Sequence, residues 1–261
     1  MRYFTLLKTF YKNALLAEME YRANFVVNVF MSLFWLFWSV FGLQVYFNHT
    51  QTLGGWTYDE SLVVVGLFYL ANGYMQAMLQ PNISLIGDHI RLGTLDFILT
   101  KPVNSQFLTS MRTITFWRIA DIVLGFGIIV FALARLNIIV TALDIALFVV
   151  LLLAAAIILY AIWLMLVTTA FWFVRVDNIT ELFNAFYESA RFPITVYRGA
   201  VQIFLTFVVP IAFITTFPAA ALLNKLEPIY ALYSVALATG LFIASAWFWK
   251  FALRFYASAS S

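Results

Sequence analysis

Side chains able to do covalent or acid–base chemistry are few in this chain. There is no cysteine, which removes a thiol nucleophile, thiolate metal sites and a disulfide scaffold together. The two histidines, His49 and His89, stand apart and make no ligand cluster. A phosphate-binding loop needs Gly-x-x-x-x-Gly-Lys-Ser/Thr, so that backbone amides, a lysine and a hydroxyl meet the phosphates and magnesium. No Gly-Lys pair occurs anywhere. Nor is there a Ser/His/Asp grouping, a His-Glu-x-x-His helix or a carboxylate dyad. The sequence predicts a chain without a catalytic site and without a bound metal or cofactor.

Polar residues within apolar runs are the next candidates, because burying them in lipid is costly. Asn72, Gln76 and Gln80 recur every four residues, with Tyr69 adjacent, and Asn24, Asn28 and Ser32 repeat the spacing in the preceding run. Each set predicts one helix face turned toward protein. Two readings stay open for Asn28, Asn72, Gln76 and Gln80: a substrate path, or interhelical hydrogen bonding at a subunit interface. Arg118 and Asp121, three apart, predict an ion pair on one helix face. Intramembrane acids are too few for a proton relay.

The elements that must position these residues can be read from composition. Of 261 residues, 64% are hydrophobic and 10% charged, and the mean hydropathy is +0.94. Soluble domains run near 45 to 50% apolar and about a quarter charged, so no water-soluble fold covers this much apolar surface. Aromatic residues supply 19% of the chain, which suits helix ends at headgroup level rather than nucleic-acid stacking. A spanning helix takes about 20 apolar residues. Such runs lie near 25–47, 61–79, 114–134, 142–174, 200–223 and 228–250. The expectation is an all-α integral membrane protein of six transmembrane helices in a single domain over 1–261. The fourth run is long enough to tilt, bend or protrude.

Residues 1–23 carry Lys8, Lys12, Glu18, Glu20 and Arg22 and do not read as a cleavable signal peptide. Tyr3, Leu7, Phe10, Ala14 and Ala17 share one helical face opposite Arg2, Thr5, Thr9, Lys12, Asn13 and Glu20. This predicts an interfacial helix, which also serves as an anchor for the first span.

Lysines and arginines set the orientation. With six spans, one side holds Arg2, Lys8, Lys12, Arg22, Arg91, Lys101, Arg112, Arg118, Arg175, Arg191, Arg198, Lys250 and Arg254; the other holds Arg135 and Lys225. Both termini, including the tail at 251–261, are expected in the cytoplasm. The segments near 81–113 and 175–199 then form the cytoplasmic loops, and His49 to Glu60 turns outside.

The first cytoplasmic loop is the most informative. From Gly87 to Pro102 it predicts two short helical pieces: Gly93 ends the first, Thr94 caps the second, Asp96 sits in its first turn and Pro102 stops it. In the second loop, Asn178 and Glu181 have capping-box spacing, with Ile179, Leu182, Phe183, Phe186 and Ala190 on one face. That predicts an amphipathic surface helix with Asp177, Glu181, Glu188 and Arg191 in water, either a connector or a partner-docking element. Pro210 and Pro218 fall inside the fifth apolar run, where each removes a backbone hydrogen bond and predicts a helix break. With Thr215 and Thr216 between them, the outer half of that run reads either as a kink or as a short re-entrant element.

The pattern Arg91-x-Gly93-Thr94-Leu95-Asp96, with Leu99 and Pro102 after it, resembles the signature of membrane subunits of ABC-type exporters of the second permease superfamily, where an acidic residue usually comes after Gly-Thr-Leu. Phe192-Pro193-Ile194, Val209-Pro210-Ile211-Ala212-Phe213 and Phe217-Pro218-Ala219 resemble the same family, and the likeness extends over essentially the whole chain. The resemblance implies that the loop between the second and third spans is a coupling helix that docks in a groove of a separate ATPase subunit. The residues implied in docking are Asp88, Arg91, Leu92, Gly93, Thr94, Leu95, Asp96, Lys101 and Pro102. It further implies two ATPase subunits carrying ATP and magnesium, a second permease subunit, identical or homologous, and a bacterial inner (plasma) membrane. No nucleic-acid partner is expected. The alternative is a self-sufficient secondary transporter or channel, which needs inverted repeats or broken helices in both halves; only one half shows a proline-broken segment. A membrane assembly factor using the same loops is a third reading.

Overall fold

The computed structural model describes residues 2–173 and 177–256. Helix α1 (Arg2–Glu20) meets α2 (Arg22–Phe47) at Tyr21, where φ −110° and ψ 55° leave the helical region. Along α2 the buried positions are Ser32, Leu36, Ser39 and Leu43, one narrow stripe at helical spacing. Most of its remaining surface is exposed and apolar, including Phe30, Trp35, Phe37 and Trp38.

Thr57 and Glu60 close the first turn of α3 (Tyr58–Tyr74), the Thr57 N–H donating to Glu60 Oε2 at 3.0 Å. The helix runs on through a wide π-type turn at Met75–Leu79, then α4 (Gln80–Ile83) and α5 (Leu85–Arg91). The wide turn has a local cause. Pro81 has no N–H to give to the Ala77 carbonyl one turn back, so that oxygen is left over. It accepts instead from the Thr115 N–H at 2.9 Å. Beside it the Asn82 amide donates to Thr113 O at 2.6 Å, while its Oδ1 accepts from Thr113 N at 2.7 Å.

Two short helices, α6 (Asp96–Leu99) and α7 (Ser105–Ser110), complete an elbow, and a turn at Phe116–Arg118 opens α8 (Ile119–Leu136). Helices α3 and α8 pack with their backbones nearly touching at Gly66 and Gly125. A Cβ on Gly125 would lie 2.5 Å from Gly66 O, and one on Gly66 2.7 Å from Gly125 O. In lipid, where apolar side chains gain little by leaving their surroundings, such close approach supplies the packing.

A reciprocal cap between Thr141 and Asp144 starts α9 (Ala142–Thr168). It extends to Phe171, whose ring packs on Trp249 and Tyr256; the expected over-long fourth span thus protrudes to meet the elbow. The chain continues through α10 (Asp177–Tyr187), turns at Glu188–Arg191 and Ile194–Val196, α11 (Gly199–Ile203) prolonged to Val208, α12 (Thr216–Leu222), and α13 (Pro228–Ala252), which begins with its proline where no N–H is needed.

The bundle has two ends. At one end lie α1, the elbow and the end of α13, held by the Tyr3 and Phe107 rings and by Trp249 Nε1 donating to Ser105 Oγ at 3.3 Å. The other end joins Arg135 to Asp59 at 3.2 Å and Lys225 to Glu60 at 2.7 Å. Thr195 belongs to this second end, where its hydroxyl donates to Gly54 O at 2.6 Å. Residues 199–223 therefore enter and leave at one end, and the fifth crossing is not the run at 200–223. Phe173 and Thr195 lie toward opposite ends of the bundle, and α10 and the two turns after it lie on the path between them. The apolar run forms a re-entrant pair of helical pieces, bent by 62°.

This relocates three expectations. Arg198 sits at the far end with Arg135 and Lys225, whereas Arg191 lies within the bundle against Phe68. The helix expected on the surface after Asn178 packs inside the bundle through Phe183 and Tyr187; the proposed Asn178–Glu181 cap falls partly outside the described side chains. Pro210 marks the bend, but Pro218 sits in the first turn of α12, where its missing N–H breaks nothing. Among the described residues α2, α3, α8, α9 and α13 are long and apolar enough to cross a membrane, the path through α10 joins the two ends of the bundle once more, and both described termini lie at one end. It is an all-α integral membrane protein.

Candidate functional site

At the end that carries the termini, Gly93 turns the chain with φ +69°, a conformation that costs any residue with a Cβ. Leu95 is buried with Ile98 and Leu108, and Phe10 of α1 packs on them. It holds the elbow together from inside and does not offer a docking surface. Thr94 does not cap α6, since the residue before that helix is Leu95; its hydroxyl lies 2.8 Å from His89 Nδ1 and ties the loop to α5. Asp96 opens α6 as expected, and burial, then the Asp96 charge, pushes the Tyr256 phenol above its ordinary pKa. Asp88 and Arg91 pair at 2.9 Å on the surface. Lys101 and Pro102 are exposed beyond the end of α6. Two large apolar side chains point outward here among the charges: Leu92 is 61% exposed and Phe97 71%.

A second feature lies inside the bundle. A cleft of about 660 Å³ opens between α2, α3, the start of α8 and the turn at Glu188–Arg191. Arg118 pairs with the buried Asp121 at 3.2 Å, as the spacing predicted, and its guanidinium lies 4.0 Å over the Trp117 ring. Arg191 pairs with Glu188 at 2.6 Å and lies 5.0 Å over Phe68. Tyr187, just before this turn, anchors it by donating its hydroxyl to Phe68 O at 3.1 Å. Asn28 and Asn72 line the cleft together with Ser32, Ser39 and Tyr69. Gln76 and Gln80 do not. Gln76 lies within the wide turn at Met75–Leu79, and that turn adds a residue to the helical repeat and rotates Gln80, after it, away from the Asn72 face by roughly 100°.

Four residues act here without having been singled out for it. Glu188 and Arg191 read as surface charges because charges within a membrane are rare, and only the fold places them in one cleft with Arg118 and Asp121. Asn82 comes directly after a proline, a local sign of an unsatisfied carbonyl nearby. Glu18 of α1 accepts from the backbone N–H groups of Phe116 at 2.7 Å and Trp117 at 3.2 Å. Among the described residues no group of His, Cys, Asp and Glu could hold a metal ion. At the far end a smaller cavity of about 390 Å³ lies between Trp56 and the re-entrant pieces.

An elbow between the second and third crossings, termini at one end and a polar cleft among the crossings are the architecture of a membrane transport component. Residues 33–260 match the family model described as ABC-2 family transporter protein. The chain belongs to the ABC-2 family. No curated protein and no solved structure matches it. As an ABC-2 membrane component it contributes to transport rather than catalysis, which agrees with the lack of a phosphate-binding loop.

Proposed function

We propose that this chain is the permease subunit of an ATP-driven exporter, working with a second permease subunit, identical or homologous, and two ATPase subunits that bind ATP and magnesium. The elbow end faces the cytoplasm of a bacterium and the chain sits in its inner membrane; the basic residues at that end support this orientation. The observation that carries the reading is the elbow itself. Leu92 and Phe97 stand exposed among Asp88, Arg91 and Lys101 where the second crossing passes into the third. An apolar pair ringed by charge suits a groove on a soluble partner. ATPase closure would push on the elbow, and the elbow on α3 and α8. The exposed faces of α2, α8 and α13 meet lipid or the second permease, and Leu15, Leu16 and Met19 of α1 rest on the headgroup layer.

The test is purification of the tagged chain from its host in mild detergent, with the co-purifying proteins identified and ATP hydrolysis assayed. A stoichiometric ATPase is expected, and Leu92→Asp with Phe97→Asp should release it while membrane insertion persists. A stable chain with no ATPase would shift the reading to a self-sufficient transporter.

A further inference from the structure

We infer that the intramembrane cleft binds the zwitterionic headgroup of a lipid-like amphiphile. This rests on the cleft being the substrate path of the permease. Its chemistry is that of two closed ion pairs in a polar cleft between helices, Arg118 with Asp121 and Arg191 with Glu188. Each pair is neutral, so the cleft carries no net charge to compensate a ligand of one sign. Bringing an anion or a cation alone into such a site costs its hydration without return. A zwitterion meets both needs at once. Each guanidinium has five N–H donors in a fork, and neither pair uses more than a few of them. The remaining donors suit a phosphate, and Arg191 Nε has no hydrogen-bond partner among the described residues.

The cationic half has its own surroundings. The Glu188 side chain is 60% exposed in the cleft and keeps free lone pairs. Trp35 and Trp38 line the same space, and indole faces attract quaternary and primary ammonium groups. Ser32 Oγ, buried in the wall, likewise has no partner among the described residues. A volume of about 660 Å³ falls in the range of small-molecule sites, roughly 300 to 1,000 Å³. Trp35 lines the cleft yet is 61% exposed, so the cleft opens at the surface of α2 and an alkyl tail can stay outside while the head enters. The ligand is thus an amphiphile, not a free solute.

The purified full chain in maltoside detergent is titrated with a short-chain phosphocholine lipid, its anionic phosphoglycerol analogue and an alkyltrimethylammonium, reading tryptophan fluorescence and calorimetry. The phosphocholine lipid should saturate and bind at least about tenfold more tightly than either singly charged analogue. Glu188→Gln and Arg191→Gln should each lower its affinity about tenfold or more, the scale of one charge-assisted hydrogen bond. Glu188 is exposed, so its variant should fold, and an unchanged elution profile checks this. Equal or tighter binding of either singly charged analogue overturns the inference, as does unsaturable binding or affinity indifferent to both variants. The permease reading fails separately: headgroup binding without a co-purifying ATPase sinks the coupling to ATP alone, and an ATPase partner without headgroup binding sinks this inference alone.

Discussion

Glu18 and Phe116 lie ninety-eight positions apart in sequence, and the Glu18 carboxylate accepts the Phe116 N–H at 2.7 Å. With the Trp117 N–H at 3.2 Å, the acid satisfies two of the backbone donors that a helix start leaves over. The residue that caps the third crossing therefore comes from α1.

Replacing Glu18 by Ala should leave those N–H groups unpaired and cost about 1–3 kcal/mol. Hydrogen exchange should rise over residues 2–20 and 114–120, with Glu18→Gln intermediate because it keeps one acceptor oxygen. Unchanged protection in Glu18→Ala would show that the cap bears no weight.

Gly125→Ala puts a Cβ 2.5 Å from the Gly66 carbonyl oxygen, so α3 and α8 must separate. Overpacking of this kind costs about 1–3 kcal/mol, and the thermal midpoint in detergent should fall. Gly127 on the same helix has open space around it, and Gly127→Ala should leave the midpoint level or raise it. Equal effects at both positions would contradict the close packing.

Gly93→Ala forces an L residue into φ +69°, at a cost of about 1–2 kcal/mol. The strain falls on the elbow and not on the crossings. Membrane insertion should persist while co-purification of an ATPase weakens, and Gly93→Asn should restore part of it, since asparagine tolerates the left-handed region. If Asn and Ala behave alike, backbone strain is not the cause.

With no native cysteine, single substitutions report sidedness cleanly. Cysteines at Arg198 and Lys225 should react with a membrane-impermeant maleimide from the same side as one at Gln51. A cysteine at Lys101 should react only from the other. Labelling of position 198 from the Lys101 side would restore the crossing to 200–223.

Five crossings were legible because an apolar run of sufficient length has few other uses. The remaining one was not, because length and hydropathy pointed to the wrong segment. Residues 177–196 carry Glu181, Glu188, Arg191 and Pro193, and the charges of Glu188 and Arg191 are accommodated by pairing inside the cleft. The run at 200–223 is apolar enough to cross yet is turned back near Pro210. Hydropathy measures what lipid accepts, not where the chain goes next. The same limit applied to the stripe at Asn72, Gln76 and Gln80: a four-residue period assumes a uniform helix, and Pro81 makes this one irregular. The elbow was visible through Gly93, whose backbone need is local. The ion pair of Arg118 and Asp121 was visible for the same reason, whereas its neighbours from residue 188 onward come together only in the folded chain.

The bonds from Asn82 to Thr113, and from the Ala77 carbonyl to Thr115, have a further consequence. They clasp the two strands of chain at the base of the elbow, so residues 83–112 leave and rejoin the bundle through one fixed doorway. Beyond that doorway the elbow is tied back to the bundle by side chains, among them Ser105 to Trp249 and Phe107 to Tyr3. A displacement of the elbow therefore reaches the helices at two separate places, the backbone clasp and the end of α13.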